Sequence, residues 1–211
     1  MARSTDNLIR ELGDGLTPVR RIAEPNRLAL LWLGCSVLIA AGLAVVFDMR
    51  AAMARLGSAA DMWLAVLGSL LTAAFAAKAA FELAMPGRSR LWALLPLPGL
   101  LLWIGASGMG CLRTWATVGW DGHIHSECLM SIVGISAPLA VAMVVMLRRA
   151  FPLYPALTAL VAGLACAAAS ATVLSLFHPA DAAATDLAFH ALAVAIVTAV
   201  LAASGRRLLR R

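Results

Sequence analysis

Six blocks of apolar residues, each about 18 to 25 long, occupy most of this chain and limit what it can become. At a rise of about 1.5 Å per residue, one such block laid out as a helix crosses a hydrocarbon layer about 30 Å thick. Backbone groups placed in hydrocarbon must bond to one another. Runs of Ala, Leu and Val without the alternation of a barrel strand therefore choose helix. A soluble fold is excluded by composition, because only 13% of the residues are charged and 62% are hydrophobic. Soluble domains carry about 25% charged residues to cover their surface. The sequence predicts an all-α, polytopic membrane protein with six transmembrane helices, at 28–47, 62–84, 91–109, 128–147, 153–177 and 186–204.

The net charge of +6 follows the membrane rather than nucleic acid, and no direct nucleic-acid contact is expected. Arginines collect at the ends of the blocks, where they fix topology. With the N-terminus in the cytoplasm, the inner segments hold thirteen: Arg3, Arg10, Arg20, Arg21, Arg27, Arg88, Arg90, Arg148, Arg149, Arg206, Arg207, Arg210 and Arg211. The outer loops hold three, Arg50, Arg55 and Arg113. Both termini are thus predicted to be cytoplasmic. Residues 1–27 read as a cytoplasmic tail, 28–204 as the six-helix domain and 205–211 as a basic C-terminal end. The tail is much longer than the n-region of a cleavable signal peptide, so the first apolar helix is expected to serve as its own insertion signal.

The tail has a pattern of its own. Ser4, Thr5 and Asp6 are N-cap residue types, and Leu8, Ile9 and Leu12 follow at helical spacing before Gly13 and Gly15. Beyond them Leu16, Val19 and Ile22 fall three apart. Two turns of amphipathic helix are marginal in water and gain order from a membrane surface or a partner. The expected partner-binding positions are Leu8, Ile9, Leu12, Leu16 and Val19.

Within the spans, Lys78 and Glu82 stand four apart on one helix face. Ionisable groups in a membrane helix are functional suspects, but near a helix end they can pair and reach the interface. Pro96, Pro98, Pro138 and Pro155 kink helices or mark their first turn. Ala162, Cys166 and Ser170, with Gly163 and Ala167, suit close helix packing. Cys35 and Cys166 lie inside apolar blocks and read as small core residues. HExxH, GxSxG and P-loop signatures do not occur, and nothing points to an enzyme.

The stretch 110–127 with its flank gathers Cys111, Asp121, His123, His125, Glu127 and Cys128 on the outer side. These are ligand types for zinc or copper. A redox role for the thiols, a Cys111–Cys128 disulfide in an oxidising compartment and an inert polar loop are the other readings. His178, Asp181 and Asp186 lie in the last outer loop, and His190 one turn into the last span.

The run from Cys128 to Asp181 resembles the NrsF family of six-helix bacterial anti-sigma factors. The features that carry the resemblance begin with Cys128 opening the fourth span, then Ser136 and Pro138. They continue with the Arg148–Arg149 pair, the Pro152–x–x–Pro155 start of the fifth span, Gly163, and a short loop with Pro179 and Asp181. The opening TDNLIREL helix with Pro18–Val19 also fits. The resemblance implies a protein of the bacterial inner membrane that holds an extracytoplasmic-function (ECF) sigma factor through its tail and releases it on a periplasmic signal such as a metal or oxidative stress. The family commonly has His-Cys-Pro in the last outer loop. Here Phe177–His178–Pro179 stands there, with His178 in the cysteine's place. A Cys/His pair can bind a metal but cannot close a disulfide, so the substitution favours metal over a two-thiol switch. Signal sensing is expected at Cys128, His178, His123 and His125, with a transient metal ion on Cys128 and His178 and no resident cofactor. The sigma factor and the lipid bilayer are the expected partners, with self-association into a homo-oligomer a further expectation.

Two other classes fit parts of the sequence. A small transporter for a metal or organic solute would use Lys78, Glu82 and the histidine-rich loops, though no internal repeat supports it. A membrane redox subunit would bind haem through His178 and His190.

Overall fold

The structure is a computed structural model, and it describes residues 4–14, 16, 23–46, 60–118, 126–150, 152–176 and 184–209. Among the described residues the chain is helical apart from short turns and connections, with no strand. A short helix, α1 (Thr5–Asp14), precedes α2 (Pro25–Val46), α3 (Ala60–Leu83), α4 (Leu97–Val118), α5 (Ser126–Leu147), α6 (Pro155–Ser175) and α7 (Ala184–Leu209). A 3₁₀ turn at Arg90–Leu94 leads into α4. Six segments are long and apolar enough to cross a bilayer, as in a multi-pass membrane protein.

The helix ends follow local chemistry. Helix α6 opens on Pro155, where a missing N–H costs nothing. Helix α4 begins one residue after Pro96, whose carbonyl accepts from Leu100 N at 3.0 Å. The two prolines of the third span therefore mark a start, and the expected single helix 91–109 becomes a 3₁₀ turn followed by an α-helix. That helix also runs on to Val118, so Cys111, Arg113 and Trp115 are helical residues, not loop residues. Its extra turns are held from outside, since Arg113 Nη2 lies 3.0 Å from Asp61 Oδ2 at the start of α3. Helix α7 continues five residues past the expected end at 204, carrying Arg206 and Arg207 into its last turn, where cations suit the helix dipole. Pro138 sits inside α5, which continues through it.

The six long helices run alternately up and down. One end of the bundle, here the terminal end, gathers the start of α2, the α3–α4 and α5–α6 connections and the finish of α7. The contacts Arg90–Tyr154 and Arg148–Leu208 bind that end together. Asp61 and Arg113 lie at the far end.

Helix α6 is the centre of the packing, against α7, α3 and α5, while α3 also packs on α4 and α2. Almost every residue of α6 from Thr158 to Leu174 is buried, and most are Ala, Gly, Ser or Cys. Small side chains let backbones approach, and dispersion contacts replace the hydrophobic force that is absent between helices in lipid. The closeness is measurable at Gly163, where a Cβ would stand 2.8 Å from Thr198 Cα of α7. At Gly68 a Cβ would stand 2.5 Å from Trp103 N of α4. The expected packing role of Ala162, Gly163, Cys166, Ala167 and Ser170 is met. Cys35 departs from expectation: it is exposed on the outer face of α2, while Cys166 is buried.

Among the described residues, polar bonds cross between helices in the apolar interior at three places. Trp32, fully buried, donates its indole N–H to the carbonyl of Leu139 at 3.1 Å and pins α2 to α5. Ser136 Oγ donates to Ser170 Oγ at 2.9 Å, and Ser170 donates to the carbonyl of Cys166 at 2.8 Å. Ser69 Oγ and Thr172 Oγ1 share a bond of 2.8 Å between α3 and α6.

Candidate functional site

Two features stand apart from helix packing: the α1 face, and a charge cluster at the terminal end of the bundle. Helix α1 forms where the sequence places it. The carbonyl of Ser4 accepts from Asn7 N and Leu8 N, and Asp6 lies in the first turn, where a negative charge is favourable. The helix includes Gly13 and ends at Asp14, two residues beyond Leu12. At 100° per residue, Leu8, Ile9 and Leu12 share one side, while Asp6, Asn7, Arg10, Glu11 and Asp14 take the other.

The apolar side is uncovered. Leu8 is 44% exposed, Ile9 62%, Leu12 64% and Leu16 78%, and no residue of α1 is buried. The long helices also expose leucines, but those face where lipid lies. Helix α1 is too short and too polar to span, so its exposed stripe has no such account. Val19 lies outside the described residues.

At the terminal end, Lys78 and Glu82 are joined through Nζ and Oε1 by an ion pair, as their four-residue spacing predicts. The sequence did not reveal the third member. Arg88 Nε lies 3.0 Å from Glu82 Oε2, close enough for an ion pair but not aligned as a hydrogen bond. Arg88 reaches Glu82 because the chain reverses after α3 through Gly87, whose φ of +80° favours glycine. The Lys78 ammonium also lies 5.3 Å from the centre of the Trp92 ring. Glu82 is nearly sealed from solvent, at 4%, whereas Lys78 is 24% exposed and Arg88 50%. The arrangement is a buried anion between two cations that reach outward, clamping the α3–α4 turn. The pair that served the transporter reading is therefore satisfied within the protein.

The surface at this end is strongly basic: Arg27, Arg88, Arg90, Arg148, Arg149, Arg206 and Arg207 are all exposed. Arg90 stacks over the Tyr154 ring at 4.1 Å, and Arg148 Nε donates to the carbonyl of Leu208 at 2.7 Å.

The expected sensing residues fall largely outside the described residues. His123, His125 and His178 lie there entirely. Cys128 is in the first turn of α5 and His190 in α7, but neither side chain is among those described. Cys111 is a half-buried free thiol on α4. Among the described residues, no group of three or more His, Cys, Asp or Glu could hold a metal ion.

A family model described as NrsF, negative regulator of sigma F, matches residues 12–210. No curated protein and no solved structure matches the chain. The matched region contains all six long helices and begins at Leu12, so Leu8 and Ile9 precede it.

Proposed function

The chain belongs to the NrsF family, the negative regulators of sigma F, and we propose that it is a membrane-anchored anti-sigma factor that holds an ECF sigma factor through its N-terminal tail. The observation that carries the assignment to the tail is the open stripe of Leu8, Ile9 and Leu12 on a helix with no buried residue, with Leu16 exposed just beyond its end. An amphipathic helix of this kind is a ready ligand for an apolar groove, read through positions three and four apart. Val19, outside the described residues, is kept in this reading as a further partner-binding position. Held there, the sigma factor is kept from RNA polymerase.

The tail faces the cytoplasm in this reading, since the bundle's arginines gather at the end from which the tail leaves. In a bacterium the membrane is then the inner one, and the far end of the bundle meets the periplasm. A periplasmic signal, a metal ion or an oxidant acting through Cys128, His178, His123 and His125, releases the grip. Cys128 opens α5, and α5 is tied to α2 by the Trp32–Leu139 bond. Helix α2 in turn follows the tail. These links give a signal at the far end a physical connection to the grip.

The test is recovery of the sigma factor from native membranes with the full chain, beside a Leu8→Asp/Leu12→Asp variant inserted at equal level. A sigma factor recovered with the wild type and lost with the variant is the expected result. Equal recovery with both removes the tail from the reading, and recovery with neither removes the sigma factor.

A further inference from the structure

The apolar stripe of α1 requires a cover, and the charges around it distinguish among the available covers. Helices that lie on a membrane leaflet carry Lys and Arg on their polar face, because the leaflet is anionic. Helix α1 has the opposite sign, with Asp6, Glu11 and Asp14 against Arg10. The chain's own terminal end is basic and would attract α1, but the helix has no buried residue, and among the described residues none closes over its stripe. The remaining cover is a protein groove with an apolar floor and a cationic rim.

We propose that this cover is the basic surface with which the sigma factor approaches DNA; the proposal rests on the anti-sigma reading and specifies which face of the partner is taken. A protein that contacts promoter DNA needs clustered Lys and Arg, since phosphate contacts dominate affinity for DNA. Leu8, Ile9, Leu12 and Leu16 fill the apolar floor. Asp6 and Asp14 meet cations that would otherwise meet phosphate. Tail and polyanion then compete for one surface, and the affinity of the tail falls with salt.

The experiment uses the full chain in nanodiscs of zwitterionic lipid and the sigma factor recovered with it from native membranes. Three proteins are compared: wild type, Asp6→Asn/Asp14→Asn, which leaves the apolar stripe intact, and Leu8→Asp/Leu12→Asp. Binding is measured across a potassium chloride series and against heparin as the competing polyanion. The expected result is a roughly tenfold loss of affinity in the Asp6→Asn/Asp14→Asn variant, the size of two partly screened ion pairs. Salt should weaken the wild type more than this variant, and heparin should displace the sigma factor.

If the Asp6→Asn/Asp14→Asn variant binds as tightly as wild type and heparin has no effect, while Leu8→Asp/Leu12→Asp abolishes binding, the anti-sigma reading stands and the basic-face proposal falls. A wild type that binds no sigma factor overturns both. Nanodiscs of anionic lipid provide the last arm. If the Asp6→Asn/Asp14→Asn helix becomes protected from proteolysis there without the sigma factor, and wild-type α1 does so equally, the cover is lipid and the proposal is wrong.

Discussion

Replacing Glu82 with glutamine removes one charge and leaves two cations behind. In the native arrangement the carboxylate is almost sealed, at 4% exposure, and neutralises both Lys78 and Arg88. Breaking a fully buried ion pair from one side costs about 3–5 kcal/mol. Here the abandoned cations are 24% and 50% exposed and can turn toward water, which reduces the loss to about 2–3 kcal/mol. Lys78→Met should cost less, about 1–1.5 kcal/mol, because Glu82 keeps Arg88 and loses one charge-assisted bond to a partly wet partner. Arg88→Met should cost least, about 0.5–1 kcal/mol, since the guanidinium is half in solvent. The double variant Lys78→Met/Glu82→Gln should cost less than the two single losses together, as expected of groups in contact. Tryptophan fluorescence during unfolding of the detergent-solubilised protein by SDS would rank the four. An order with Lys78→Met worse than Glu82→Gln, or a neutral Glu82→Gln, would refute the hub role given to the carboxylate.

Other perturbations separate packing from polar bonding and from sensing. Gly163→Leu should prevent α6 and α7 from closing, at about 2–3 kcal/mol or a failure to accumulate, because the contact at Thr198 Cα is backbone and cannot yield; SDS-resistant folding and membrane abundance report it. Trp32→Phe keeps an aromatic ring but deletes the bond to Leu139 and leaves a gap where the larger indole stood, so a loss of about 1–3 kcal/mol is expected in the same unfolding assay. Ser136→Ala/Ser170→Ala should cost under about 1 kcal/mol, less than Ser170→Ala alone, because removing both hydroxyls leaves no orphan. Cys128→Ala/His178→Ala should leave sigma-factor recovery unchanged and abolish induction of a sigma-dependent reporter; an intact response would remove these residues from sensing.

The apolar blocks made the six long helices legible because membrane insertion is decided by local hydropathy, and each block carries its own decision. The α1 stripe was legible for the same local reason. What the sequence hid was mostly relational. The last turns of α4 contain Arg113 and Thr117 and read as loop, because the group that makes Arg113 tolerable there, Asp61, is supplied by another helix. Arg88 gave no sign of reaching Glu82, since its approach depends on the left-handed turn at Gly87. Trp32 finds a main-chain carbonyl, and every residue has one, so no side-chain pattern could announce the bond. Cys35 was misplaced because α2 lies at the margin and an all-apolar helix does not say which side faces its neighbours. The small residues of α6 were informative because they recur together, and only close backbone packing uses such a run.

The position of α6 has a consequence for how the protein is made. It is the fifth of the six long helices in chain order, yet it is the one that α3, α5 and α7 enclose. On a ribosome the earlier helices enter the bilayer first, with the α6-facing hydroxyls of Ser69 and Ser136 still turned to lipid. Neighbours such as α3 and α4 can pair as they enter, but that pairing leaves the centre unfilled. The central helix is a late insertion, and the finished bundle exists only after nearly the whole chain has been translated. Synthesis that stops before Pro155 would leave in the membrane the N-terminal tail on a bundle without its centre, a species recognisable to quality-control proteases by its unfilled middle.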